Sequence, residues 1–327
     1  MSPRSLLSIS LLLLLAVGGT RQLVARPAAV APVISALRQG QPPQQPGSFP
    51  NRWISGIDCQ SEADFQVHAY NEDLYIIRQT KCGNHEGPFL YLIFGESEAL
   101  LMDTGSSTSL DVYGTVRRVL HQWADAHQVA VPPLIVAHTH SHIDHIRGDF
   151  QFEGQPEVLT MVPKTLAGVQ QFFGFQNWPN DVGQIDLGNR VLDVLATPGH
   201  HGQSITLYDR RTHLMMSGDI VYPGHLFVFT PQNWSVFKDS LRRMIRFARA
   251  NPVEWVVGCH IETSAQPFQP YAWGTETHPN EHVLQFPPTE LVEILNAAEG
   301  QGANPACEIF DEFVLHPVYL CPITWNG

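Results

Sequence analysis

The chain has 327 residues, 43% of them hydrophobic and 15% charged, a globular balance with enough apolar material for one large domain or two small ones. Its formal net charge of −12 argues against a nucleic-acid groove, which needs clustered Lys and Arg to neutralise phosphates. No internal repeat is visible.

At the amino terminus Arg4 precedes a mostly apolar run over 6–17, and small residues follow through Gly18 and Gly19. That order reads as a secretory signal within residues 1–25, with cleavage after Gly18, Gly19 or Ala25. The run is shorter than the roughly 20 apolar residues that span a bilayer, so a membrane anchor is the weaker reading and no stable membrane association is expected after cleavage. Residues 26–58, with Pro42-Pro43-Gln44-Gln45-Pro46-Gly47, lack apolar periodicity and read as a flexible Pro/Gln-rich leader. A single folded domain with a carboxy-terminal extension is expected over 59–327, in a secreted or periplasmic protein. Five cysteines agree with export: Cys59 with Cys82 and Cys307 with Cys321 lie in turn-rich segments where an oxidising compartment permits bridges. Cys259 is then left over, and burial as a small hydrophobe is favoured over metal ligation.

Strands are predicted at 65–69, 74–78, 89–94 and 99–102, then a helix from Leu110 to about Ala126 with Val112, Val116, Val119, Leu120 and Trp123 on one face. Strands at 134–137 and 158–162, a short helix from Lys164, and strands at 191–196, 205–208 and 214–216 follow. A segment bearing Arg242, Arg243, Arg246 and Arg249 reads as an amphipathic helix with Asp239 and Arg243 placed for an i,i+4 pair. A strand at 254–257, a helix at 289–298 and one or two strands around 313–320 complete an α/β pattern. Phe172, Phe173, Phe175 and Trp178 form an aromatic cluster that either roofs a pocket or, the favoured reading, is core.

Directly after the apolar run 133–137 comes His138-Thr139-His140-Ser141-His142-Ile143-Asp144-His145, four imidazoles and a carboxylate within eight residues. Neutral imidazole and carboxylate are the ligands that a borderline cation such as Zn²⁺ takes. Residues at i and i+2 leaving a strand can address one ion while i+4 and i+5 address a second; the alternative is a solvated His-rich loop. Three further strand-like runs end in ligand types: Thr197-Pro198-Gly199-His200, Ser217-Gly218-Asp219 and Gly258-Cys259-His260.

The eight-residue motif, with these three pieces in order, resembles the signature of the metallo-β-lactamase superfamily over about residues 65–260. The resemblance implies a four-layer αββα sandwich with metals at one rim. It implies His140, His142 and His200 as one site, Asp144, His145 and His260 as a second, and Asp219 as a bridging carboxylate, holding two divalent ions, Zn²⁺ first and Mn²⁺ or Fe as alternatives. His138 and His201 fall outside the pattern and read as supporting or surface imidazoles. Asp103, in Met102-Asp103-Thr104-Gly105, matches an Asp-Thr-Gly behind the metals and is expected to orient a ligand histidine, the alternative being a simple Asx turn.

Two ions about 3.5–4 Å apart can hold a bridging water acidic enough to supply hydroxide at neutral pH, with Asp144 orienting it. True metallo-β-lactamases replace the bridging aspartate by Cys or Ser; the superfamily's thioester, lactone and organophosphate hydrolases keep it. Tyr222 stands three residues after Asp219, where similar lactonases carry a carbonyl-binding tyrosine; an ordinary buried tyrosine is the even alternative. The expected function is hydrolysis of a small acyl substrate, an ester, thioester or lactone, with catalytic roles for Asp144 and Tyr222. β-Lactam hydrolysis, a non-haem iron redox role such as persulfide dioxygenation, and simple metal scavenging stand as alternatives. The sequence leaves the oligomeric state open.

Overall fold

The computed structural model describes residues 47–321; the expected signal and the leader up to residue 46 lie outside the described residues. Residues 47–58, expected as flexible leader, are laid down on the domain instead. The Ser48 N–H donates to the Tyr70 carbonyl (2.9 Å) and the Ile54 N–H to Gln66 Oε1 (2.6 Å). The Trp53 ring is buried edge-on against Phe89, 4.9 Å between centroids. Isolated aromatic anchors do this, and they leave no periodicity to read.

Two six-stranded sheets form the centre. The first runs, in spatial and chain order, β1 (Phe65–Asn71), β2 (Leu74–Gln79), β3 (Phe89–Phe94), β4 (Ala99–Met102), β5 (Leu134–Ala137) and β6 (Val158–Met161). The second contains β7 (Val182–Asp186), β8 (Val191–Ala196), β9 (Ile205–Asp209), β10 (Leu214–Gly218), β12 (Trp255–Gly258) and β13 (Gln285–Phe286), in the spatial order β13-β12-β10-β9-β8-β7. One core lies between the sheets, joining Ile76, Tyr91, Leu100 and Ile135 of the first to Val194, Leu207, Met216 and Val257 of the second. The outer face of the first sheet packs on α1 (Val112–His127) through Val116, Leu120 and Trp123. The outer face of the second packs on α4 (Pro231–Ala250) and α5 (Glu290–Gly300) through Phe237, Leu241 and Ile294. Helix, sheet, sheet and helix therefore stack as the expected four layers, and strands covered on both faces, such as β3 and β5, are buried at every residue.

Between these elements lie α2 (Ile143–Ile146) and α3 (Leu166–Phe173). A small third sheet joins β11 (His225–Val228), β15 (Val314–Pro317) and β14 (Glu308–Ile309). Both bridges are present, Cys59–Cys82 and Cys307–Cys321, and Cys259 is a buried free thiol. Phe173 and Phe175 belong to the core between the sheets, so the aromatic cluster is packing. The expected Asp239–Arg243 pair is not formed. Asp239 pairs with Arg242 (2.6 Å), which also meets Glu299 (2.7 Å), while Arg243 turns inward and donates to the Ala196 carbonyl (2.8 Å). Its long stem covers apolar surface and its head caps the end of β8, a better contact than a screened surface carboxylate offers.

Candidate metal centre

Strands β4, β5, β8, β10 and β12 all end at one rim, and each delivers a functional side chain there. Two of the turns need glycine. A Cβ on Gly218 (φ +59°) would lie 2.8 Å from Thr139 Cβ, and one on Gly199 (φ +143°) 2.6 Å from Phe237 Cα. The turns that carry Asp219 and His200 thus press against β5's loop and α4 too closely for a side chain.

His140, His142 and His200 form the first set. His142 Nδ1 lies 3.0 Å from His140 Nε2 and 2.8 Å from His200 Nε2. Asp144, His145 and His260 form the second: His145 Nε2 is 3.0 Å from Asp144 Oδ2, and His260 Nε2 is 3.3 Å from the same oxygen. Asp219 Oδ2 faces both sets, at 3.8 and 3.7 Å from His140 and His200 Nε2 and 3.2 and 3.5 Å from His145 and His260 Nε2. Its other oxygen is buried with no hydrogen-bond partner in the protein. All seven residues named from the motifs are brought together.

The histidines are aimed by bonds from their far nitrogens. His145 Nδ1–H donates to Asp103 Oδ2 (2.9 Å), since an ionised carboxylate can only accept. His200 Nδ1 lies 3.1 Å from the Phe227 carbonyl and His260 Nδ1 3.1 Å from the Glu86 carbonyl. Each such bond places a proton on Nδ1 and turns Nε2 into the centre. Asp103, fully buried at φ +68°, also accepts from Thr139 N–H (2.8 Å), Thr139 Oγ1–H (2.9 Å) and the Cys259 thiol (3.4 Å). The loop bearing Glu86 is held by the Cys59–Cys82 bridge and by Lys81, whose ammonium donates to the His85 carbonyl. His138 is held away from the centre, 2.8 Å from Asp149 Oδ1. His201 is half-buried with its ring 4.9 Å from that of His142.

The electrostatics of the two sets differ. Burial pushes His140 well below the ordinary imidazole range, lowers His142, and takes His200 down to about 4, so this set is three neutral lone-pair donors. Burial opposes charge on His145 and His260 as well, but Asp144, Asp219 and Asp103 around His145, and Asp219 and Asp144 around His260, outweigh it and raise both. Burial would likewise raise Asp144 and Asp219, yet His145 beside each holds both well below the carboxylate range. Three converging neutral imidazoles that cannot satisfy one another, an ionised carboxylate facing them, and a second group of two imidazoles and a carboxylate whose protons a cation would displace make a donor set that fits divalent cations.

Tyr222 requires a correction. Its ring is fully buried 5.6 Å from that of His260, but its hydroxyl donates to the His225 carbonyl and lies 3.0 Å from Glu262 Oε2. A phenol has one proton, and here the protein's own acceptors take it, so Tyr222 is not a substrate hydrogen-bond donor in this geometry. Sequence reasoning also passed over three contributors. The Glu86 carbonyl is backbone and carries no residue-type signal. Glu262, two residues after His260, could have been noticed as an acid bound to stay near the rim. Phe229, whose ring lies 5.3 Å from both His142 and His200, sits in an unremarkable Val-Phe-Thr.

Residues 86–260 match the family model described as the Metallo-beta-lactamase superfamily. The chain is 29% identical over 203 residues to "Acyl-coenzyme A thioesterase MBLAC2" of Bos taurus and 28% identical over the same length to its Homo sapiens counterpart, in each case over 53% of this chain and 73% of the relative. It is 25% identical over 133 residues to a hydroxyacylglutathione hydrolase of Chelativorans sp. (strain BNC1), covering 40% of this chain and 49% of that one. Among solved structures, a metallo-beta-lactamase from Pontibacter korlensis aligns with a TM-score of 0.47 at 15% identity, over 72% of this chain and all of that one.

Proposed function

This chain belongs to the metallo-beta-lactamase superfamily, and we propose that it is a hydrolase that uses two divalent cations, most simply zinc, to cleave an acyl thioester. The observation that carries this reading is Asp219 Oδ2, placed between a set of three neutral imidazoles and a second set containing Asp144. Two cations bound there would make hydroxide available near neutral pH and polarise the scissile carbonyl. The chain's own residues do the rest. His140, His142 and His200 bind on one side, and Asp144, His145 and His260 on the other. Asp219, which faces both sets, would contribute its carboxylate to each. Asp103 and the Glu86 and Phe227 carbonyls hold the Nδ1 protons of His145, His260 and His200, so that Nε2 is the nitrogen each of these rings would offer a cation. The Asp144 carboxylate, more exposed than that of Asp219, would accept a hydrogen bond from the attacking water and orient it. Water and thioester give a carboxylic acid and a thiol.

An aspartate at 219, rather than a thiol or hydroxyl, supports thioesters over β-lactams, and the names of the relatives point the same way. The internal bonding of the Tyr222 hydroxyl weakens the lactone reading. The test is a comparison of kcat/KM for the cation-loaded protein on acyl-coenzyme A and acylglutathione thioesters, lactones and a chromogenic cephalosporin. Thioesters should lead, and chelation should abolish turnover. A β-lactam as the best substrate, or activity that survives chelation, would overturn the reading. Export through the amino-terminal segment is part of the same proposal, supported by two disulfide pairs; intact mass of protein from an exporting host checks it.

A further inference from the structure

A single exposed hydrophobic side chain is ordinary on a protein surface, but an apolar strip that runs up to a polar centre marks a surface that binds a ligand. Phe229 is 37% exposed, and its ring stands edge-on to the rings of both His142 and His200 at 5.3 Å. Behind it the Phe227 ring, 5% exposed, lies 6.1 Å away and packs at 5.2 Å against Trp273. An apolar strip therefore runs from buried packing out to the open side of the first histidine set. Ile143, between His142 and Asp144 in the chain, is 56% exposed, so apolar surface also flanks the second set.

We propose that Phe229 is the wall of an acyl-chain subsite, so that the preferred thioesters carry an apolar chain of several methylenes rather than a short or hydroxylated acyl group. The proposal rests on the thioesterase reading but concerns a residue that reading does not need. A carbonyl presented to the centre sends its acyl chain outward past the first histidine set, and there Phe229 offers it an aromatic face. Each methylene so covered favours binding by up to a few-fold. The preference should therefore rise with chain length and depend on this one ring.

The experiment compares acetyl- and octanoyl-coenzyme A as substrates of the cation-loaded protein, Phe229→Ser and Phe229→Leu, with metal content measured on each. The octanoyl-to-acetyl ratio of kcat/KM should be at least about tenfold in the parent, fall about tenfold in Phe229→Ser, and return to within about threefold of the parent in Phe229→Leu. Calorimetry of acetate and octanoate binding needs no turnover. Octanoate should bind more tightly with a negative heat-capacity change, and Phe229→Ser should remove the difference. An unchanged ratio in a metal-replete Phe229→Ser protein, or octanoate binding no tighter than acetate, overturns the subsite. Chain-length-dependent, Phe229-dependent carboxylate binding without thioester turnover would uphold the subsite and refute the thioesterase reading alone.

Discussion

Replacing Asp103 by asparagine tests how the centre is aimed. Asn keeps an oxygen for the Thr139 N–H now bonded at 2.8 Å, but puts an NH₂ where Oδ2 accepts from Thr139 Oγ1, His145 Nδ1 and Cys259 Sγ. The Thr139 hydroxyl can rotate and accept. His145 cannot, except by moving its proton to Nε2, which removes the lone pair that faces Asp144 and Asp219. Either His145 keeps the useful tautomer and loses a charge-assisted hydrogen bond of about 1.5–3 kcal/mol, or it becomes a poor ligand. The first cost alone weakens the cation on the His145 side by about 10- to 100-fold, the range seen when such outer partners are lost. Competition between the protein and a chromophoric chelator resolves two binding steps, and one of them should weaken by that factor while the other moves by less than about threefold. Two unchanged steps in a folded Asp103→Asn protein would show that this carboxylate does not set the His145 tautomer.

The Tyr222→Phe variant should keep kcat within about threefold but lose about 1–3 kcal/mol of stability in urea, because the His225 carbonyl and Glu262 lose the one donor they face; a hundredfold fall in kcat would restore the phenol as a substrate donor. Glu290 is raised to about 7 by burial, with Glu312, Asp311 and Glu293 adding to it. The native state therefore holds a proton that the unfolded chain has lost between about pH 4.5 and 7, and stability falls as pH rises through that window. Glu290→Gln lacks this fall and should gain about 2 kcal/mol on the parent between pH 4 and pH 8, less than the full linkage because the exposed Asp311 and Glu293 that add to the shift are screened by solvent; parallel pH profiles of the two proteins would contradict it. His145 and His260, both raised, must give up protons to bind a cation, so loading the metal-free protein at pH 7 should release about one to two protons per chain into weak buffer, and affinity should climb with pH. A loading step that releases none would refute that protonation pattern.

That these seven residues would meet at one rim was legible because the chemistry demands particular side chains and the strands end just before them: 134–137 before the His motif, 191–196 before His200, 214–216 before Asp219. Asp103 was legible for the same reason. Tyr222 was not, since its spacing from Asp219 says nothing about where the hydroxyl points, and Glu262, forty residues on, decides that. Strand β7 is a Val-Gly-Gln-Ile-Asp edge with alternating exposure, and β11 and β13 are four and two residues long, too short for a period to register. Residues 47–58 follow the same logic, since Trp53 against Phe89 and Phe49 against Tyr70 hold an aperiodic segment. On α4 the Arg cluster was correctly helical, yet the partner of each guanidinium depends on what lies across the groove, Glu299 for Arg242 and the Ala196 carbonyl for Arg243.

The central claim is that Asp219 joins two cation sites into one reactive centre. Titrating metal-free protein with zinc while following acyl thioester hydrolysis tests it most directly. Turnover should rise until about two equivalents per chain and then stay level, and Asp219→Ala should abolish it with the fold retained. A plateau at one equivalent, or an Asp219→Ala protein that still turns over, would contradict it.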